Sequence, residues 1–150
     1  MTPLTSLGPG DPPDVRSAYP HMLSEDTVVW SQFLRETTGL ISRCWYDVHV
    51  GDAVTVPTDV PPEIQIVSRA VTRKRIDVVA LMGSVYHVVE VKPWGGYTAL
   101  GQALVYWRLF RSEYPDARPS LPYVVCSTID PDCRDDFDEH GIGLYRVTLH

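Results

Sequence analysis

Residues 75–92 read RIDVVALMGSVYHVVEVK, and this stretch decides the fold. Two valine-rich runs separated by Gly83-Ser84 predict strands over Arg75–Met82 and Val85–Lys92, joined by a tight hairpin. Glycine at the first of two loop positions fits a type II′ turn, whose twist matches that of the flanking strands. Such a loop sets the register. Met82 falls opposite Val85, Leu81 opposite Tyr86, Val79 opposite Val88, Asp77 opposite Glu90, and Arg75 opposite Lys92. Directly opposed residues share a face, so Asp77, Glu90 and Lys92 are expected to project together. A slip of one residue would send the two carboxylates to opposite sides.

The expected chemistry follows from that juxtaposition. Opposed side chains have Cβ atoms roughly 4.5–5.5 Å apart, and like charges there are destabilising. The neighbours Ile76, Val79, Val88 and Val91 are apolar, which puts the acids at the edge of a core. Two bare carboxylates in that setting are costly, or one must take up a proton. A divalent cation between them removes the conflict, with Lys92 placed to offset charge or bind a nucleophile. The competing reading is a solvated strand end, which the apolar neighbours disfavour.

Working outward, Pro93, Gly95 and Gly96 end the second strand. A helix is predicted over Tyr97–Glu113, apolar on most of its circumference, as for a helix packed on a sheet and covered again. Upstream, residues 1–20 carry Pro3, Gly8, Pro9, Gly10, Pro12, Pro13 and Pro20, and read as a flexible or wrapping arm before a single domain over 21–150. Ser24 is the expected N-cap of a helix running to about Thr38, with Glu25 and Asp26 in its first turn. Val29, Trp30 and Phe33 form its inward stripe, and Asp26 continues that stripe at the N-terminal end. A strand near Trp45–Val50 follows, then a proline-rich link over Val56–Pro62 and an apolar stretch of undecided type over Glu63–Ala70. Beyond the second helix come a strand at Leu121–Ser127, an acidic surface helix or loop at Asp130–Glu139, and a last strand at Ile142–Leu149. The order α-β-β-β-α-β-β predicts an α/β fold with a mixed central sheet flanked by helices.

The totals bound the function. A chain of 150 residues suits one domain, and 44% hydrophobic with 21% charged residues is ordinary for a globular protein. No run approaches the ~20 apolar residues of a membrane span, and no secretory signal pattern is present, so no membrane partner is expected. Cys44, Cys126 and Cys133 make no paired framework, which predicts a reducing, cytoplasmic setting. Cys126, Cys133 and His140 are too widely spaced to read as a zinc site. A formal net charge of −6 argues against coating nucleic acid by charge alone. It leaves room for an enzyme that touches a few phosphates and binds cations. No Ser-His-Asp cue, phosphate-binding loop or dinucleotide fingerprint occurs.

Asp77, then Glu90-Val91-Lys92, then a helix carrying Gln102-Ala103-Leu104-Val105-Tyr106, resembles the PD-(D/E)XK superfamily of restriction-endonuclease-like nucleases. That pattern is an acid near the start of one strand, E-x-K on the next, and in some members Q-x-x-x-Y on the following helix. The resemblance covers roughly residues 24–127 and implies a restriction-endonuclease-like αβββαβ core. It departs at Ile76, where proline is frequent in the family. It implies a magnesium-dependent deoxyribonuclease, with manganese as a substitute. Asp77, Glu90 and the backbone carbonyl of Val91 would hold the metal, and Lys92 would act in catalysis. Gln102 would hold Lys92, a metal water or a phosphate. The family's first-helix acid corresponds to Asp26, with Glu25 and Glu36 as rivals and plain helix capping as an equal alternative. Arg73, Lys74, Arg75, Tyr106 and Arg108 are candidate DNA contacts, with Arg69 and Arg111 near them; a solvated charged edge and, for Tyr106, core packing compete. Trp94 could stack on a base, although packing is the favoured reading. DNA is the expected partner, with strandedness open, and a homodimer fits the family. Repair, recombination or phage DNA processing follows by analogy alone. The alternative is a catalytically inactive nuclease-fold module for nucleic-acid binding or assembly.

Overall fold

The computed structural model describes residues 5–52, 59–65 and 73–150. In chain order the elements are α1 (Ser24–Glu36), β1 (Ile41–Val50), β2 (Lys74–Met82), β3 (Val85–Val91), β4 (Trp94–Gly95), α2 (Tyr97–Glu113), β5 (Ser120–Cys126), β6 (Thr128–Ile129), α3 (Arg134–Glu139) and β7 (Gly143–Arg146). Five strands form one sheet in the order β1-β2-β3-β5-β7. The β1–β2 and β2–β3 pairs are antiparallel, while β3–β5 and β5–β7 are parallel. Parallel neighbours need a long crossover, and α2 supplies the one between β3 and β5.

The hairpin forms as its turn residues dictate. Met82 pairs with Val85, Leu81 with Tyr86, Val79 with Val88 and Val78 with Val89. Gly83 has φ +61° while Ser84 stays outside the left-handed region, as a type II′ turn requires. Alternation along the strands then feeds two cores. Val78, Ala80, Val89 and Val91 pack with Val29, Trp30, Phe33 and Leu34 of α1. Val79 and Val88 pack on the other side with Phe110 of α2. A third cluster joins Ala99 and Ala103 of α2 to Val124, Cys126 and Phe137. The result is a mixed sheet with helices on both faces.

Two local expectations change. Leu23, not Ser24, is the N-cap of α1, and no side chain caps it. The Thr27 N–H donates to the Leu23 carbonyl, which draws Ser24 inside the first turn. The second helix is not covered twice. Ala99, Ala103 and Phe110 are buried, while Tyr97, Thr98, Val105, Arg108 and Arg111 are exposed. Much of the expected link over Val56–Pro62 and of the stretch Glu63–Ala70 lies outside the described residues.

The arm before α1 wraps the sheet's β1 edge. Asp11 and Cys44 exchange two backbone hydrogen bonds, both 2.8 Å. The Trp45 indole N–H donates to the Gly8 carbonyl at 3.0 Å. Tyr19 is buried, its hydroxyl 2.9 Å from that of Ser31. Thr5 reaches across to the end of α2, its N–H 2.8 Å from the Glu113 carbonyl. Among the described residues, no helix is long and apolar enough to cross a membrane.

Candidate active site

The β2–β3 ladder stops at Val78 and Val89, one pair short of the acids. The N–H groups of Tyr86 and Lys92 point to β5, donating to the carbonyls of Pro119 and Val125. Alternation therefore turns the Val91 N–H toward β2, where a continuing ladder would offer the carbonyl of Ile76. The Asp77 carboxylate accepts that bond instead, Oδ2 lying 2.8 Å from the Val91 nitrogen.

A change in the pleat explains the substitution. On β1, Cys44 and Tyr46 pack with the α1-side core, but Val48 and Val50 pack with the α2-side core. On β2, Val78 and Ala80 belong to the first and Ile76 to the second. The turnover falls between the pairs Tyr46–Val78 and Val48–Ile76, at Asp47 on β1 and Asp77 on β2. Asp47 adopts φ +53°, a left-handed conformation that aspartate tolerates better than most residues. Rotation at this step turns the Asp77 side chain into the gap between β2 and β3. The flat pleat expected as far as Arg75 and Lys92 does not continue.

Asp77, Glu90 and Lys92 nevertheless come together. Glu90 is 6% exposed, and its Oε1 lies 3.5 Å from Lys92 Nζ. The carboxyl groups of Glu90 and Asp77 are hydrogen-bonded to each other. Burial, reinforced by the charge of Asp77, holds the Glu90 carboxyl well above the ordinary glutamate range, and the pull of Lys92 only partly offsets this. Burial also raises Asp77, against the Val91 N–H and the Glu90 bond, which favour its charged form. Buried Glu90 and half-buried Asp77 thus hold a proton more tightly than exposed carboxyl groups do.

Asp26 and Tyr106 interact electrostatically with this pair. Asp26, at the start of α1, adds negative charge beside Asp77. Its own carboxyl is raised, first by burial. Glu25 is exposed. Glu36 is occupied at the far end of α1, accepting from Gln32, Tyr145 and Thr148. Tyr106 is raised by burial and then by the charges of Glu90 and Asp77. Gln102, one turn earlier on α2, has a buried Oε1 with no hydrogen-bond partner among the described residues.

The expected basic contacts do not share one fate. Arg73 donates to Glu113 at 2.9 Å and to the Gly51 carbonyl at 2.8 Å, so it ties the start of β2 to α2. Arg75 lies 2.7 Å from His21 Nδ1 and 3.6 Å from Asp47. Arg111 sits over the Trp107 ring, 4.0 Å from its centroid. Lys74 and Arg108 are exposed, and Arg69 lies outside the described residues. Trp94, expected to pack, is 53% exposed. Asp47, Arg134 and Arg146 escaped the sequence reading. Nothing local marks them, since their places depend on the facing of β1 with β2 and of β7 with β5.

Among the described residues, no group of three or more His, Cys, Asp and Glu side chains is placed to hold a metal ion. The oxygen set at this site is Asp77, Glu90 and the Val91 carbonyl, which faces the same side of β3 as its N–H. Magnesium suits such a set, because it is bound through one or two carboxylates and keeps several waters. A buried and a half-buried carboxylate beside a lysine can accept a cation, hold a proton or bind a polarised water. No family model, curated protein or solved structure matches this chain.

Proposed function

We propose that the chain is a metal-dependent nuclease of the restriction-endonuclease-like kind, hydrolysing phosphodiester bonds in DNA. One observation carries this reading: buried Glu90 and half-buried Asp77, short of positive charge, are held beside Lys92 at the end of an antiparallel hairpin. A purely structural site would replace such a pair with apolar residues at little loss or with a gain in stability. The element order supports the same reading, with a helix, three antiparallel strands, a crossover helix and a parallel strand.

Asp77, Glu90 and the Val91 carbonyl would hold magnesium, which when bound acidifies water and stabilises charge on a phosphate. The Val91 N–H fixes the Asp77 carboxylate in one orientation. Lys92 places a positive charge where negative charge builds on the scissile group. Tyr106 and Gln102 line the α2 side, where Gln102 has an acceptor to spare for a water or for Lys92.

The deciding assay incubates the protein with single-stranded, double-stranded and branched DNA in magnesium, manganese or EDTA. Asp77→Asn and Lys92→Ala are run beside it. Metal-dependent cleavage that is lost in both variants is expected. Cleavage unchanged in both would sink the assignment, and binding without cleavage would favour a non-catalytic module.

A further inference from the structure

The turn that follows Lys92 holds an aromatic ring in solvent. Pro93-Trp94-Gly95-Gly96 is pinned to the far end of β5. The N–H groups of Ser127 and Thr128 both donate to the Pro93 carbonyl, at 3.0 and 2.9 Å, and the Asp130 N–H donates to Gly95 at 3.0 Å. Trp94 and Gly95 pair in parallel with Thr128 and Ile129. Both glycines are needed for close approach. A Cβ on Gly95 would lie 2.8 Å from the Cys126 sulfur, and one on Gly96 would lie 2.7 Å from the Trp94 indole nitrogen. Gly96 has φ −119° and ψ −159°, which any residue can adopt, so space for the indole is what requires glycine there.

Trp94 is 53% exposed, and Tyr97, three residues on, is 78% exposed. Lys92 is two residues away, within about 7 Å of chain. Charges of both signs border the turn on the other side, where Asp130 Oδ2 lies 3.5 Å from the place a Cβ on Gly96 would take. Arg146 is exposed and stands opposite Cys126 in the parallel β5–β7 pairing, the same cysteine that a Cβ on Gly95 would strike. An exposed aromatic with basic neighbours beside a phosphate-directed centre has the composition of a single-strand platform. A flat ring can stack on any unpaired base, whereas the faces of duplex bases are covered by their neighbours.

We infer that Trp94, with Tyr97, is a stacking platform for an unpaired base of a DNA strand, whose phosphates run past Lys92 on one side and Arg146 on the other. The inference rests on the nuclease reading and narrows its substrate to DNA with unpaired nucleotides at the site.

The test is fluorescence anisotropy with labelled oligo(dT) of twelve nucleotides and a blunt duplex of equal length, in EDTA, so that binding is read without cleavage. The intact protein should bind the single strand more tightly than the duplex. Trp94→Ala should weaken single-strand binding about 5- to 150-fold, and Trp94→Phe should retain most of it. Gly96→Ala, which displaces the indole but leaves the backbone path open, should weaken it too. Arg146→Ala should reduce the slope of log K against log salt by about 0.7. Equal binding by Trp94→Ala, preference for the duplex, or no binding of either oligonucleotide would overturn the inference. Melting curves of each variant separate loss of the platform from loss of fold. Cleavage is measured apart, in magnesium, so its absence would count against the nuclease reading and leave the binding result standing.

Discussion

The Asp77 carboxylate occupies, 2.8 Å from the Val91 nitrogen, the place of a backbone carbonyl in the β2–β3 ladder. One oxygen thereby replaces a sheet hydrogen bond while the carboxyl group bonds to Glu90. Structure and chemistry can be separated here. Asp77→Asn keeps an oxygen for Val91 and removes the like charge, so it should melt above the parent protein in EDTA at pH 8. Asp77→Ala leaves a buried N–H unpaired and should fall below the Asn variant by about 1–3 kcal/mol. Both should lose cleavage by at least about 100-fold. Calorimetry beside a plasmid-nicking assay checks the pair of outcomes.

The Glu90 carboxyl gives a pH signature. Its pKa is raised in the folded protein, so the folded state holds a proton that the unfolded state has released. Stability contributed by this group is full below pH 4.5, the ordinary glutamate value, and falls as pH rises toward the raised value. Glu90→Gln should flatten that decline and melt higher than the parent at pH 8. Urea midpoints between pH 5 and pH 8 measure it. A parent protein no steeper than the variant would contradict a raised Glu90 carboxyl.

Magnesium should act on the same repulsion. Added to the parent protein at pH 7.5, it should raise the melting temperature in a concentration-dependent way, as any ligand of the native state does. The rise should vanish in Asp77→Asn and Glu90→Gln. An equal rise in both would place the cation elsewhere.

Much of this site was legible because Gly83-Ser84 dictates a turn, and a turn dictates a register. That reasoning is local, and it brought Glu90 and Lys92 to Asp77 without tertiary information. It missed the twist at Asp47, because a left-handed aspartate in mid-strand leaves no mark in the pattern. The partner of Arg73 was equally hidden. Glu113 is forty positions away, and an arginine in a basic run reads the same whether it faces solvent or a buried acid. The pattern also could not show how far α2 would be covered, since that depends on what lies beyond the sheet.

The Arg73–Glu113 pair yields a contrast among the basic residues. Glu113 also accepts the Gly51 N–H at 2.7 Å and is nearly buried. Glu113→Ala should therefore destabilise by about 3 kcal/mol, the low end for a buried pair because Arg73 is a quarter exposed. Lys74→Ala and Arg108→Ala should leave the melting temperature within about 0.5 kcal/mol of the parent. Their effect should appear in oligonucleotide affinity and its salt dependence. Denaturation midpoints and binding titrations on the same preparations read both.

The Asp11–Cys44 bridge has a consequence for how the molecule behaves among its own copies. Strand β1 is ten residues long and, among the described residues, has no sheet neighbour on its outer side. Its backbone would be a template on which another chain could add a strand. The Asp11 backbone occupies the middle of that template, and the prolines on either side of it, Pro9, Pro12 and Pro13, lack the donors to extend pairing in either direction. The proline-rich arm is therefore a stopper against self-assembly: a chain trimmed back to Pro13 should keep its helices and its carboxylate pair, yet precipitate or form fibres at concentrations where the full chain stays dispersed.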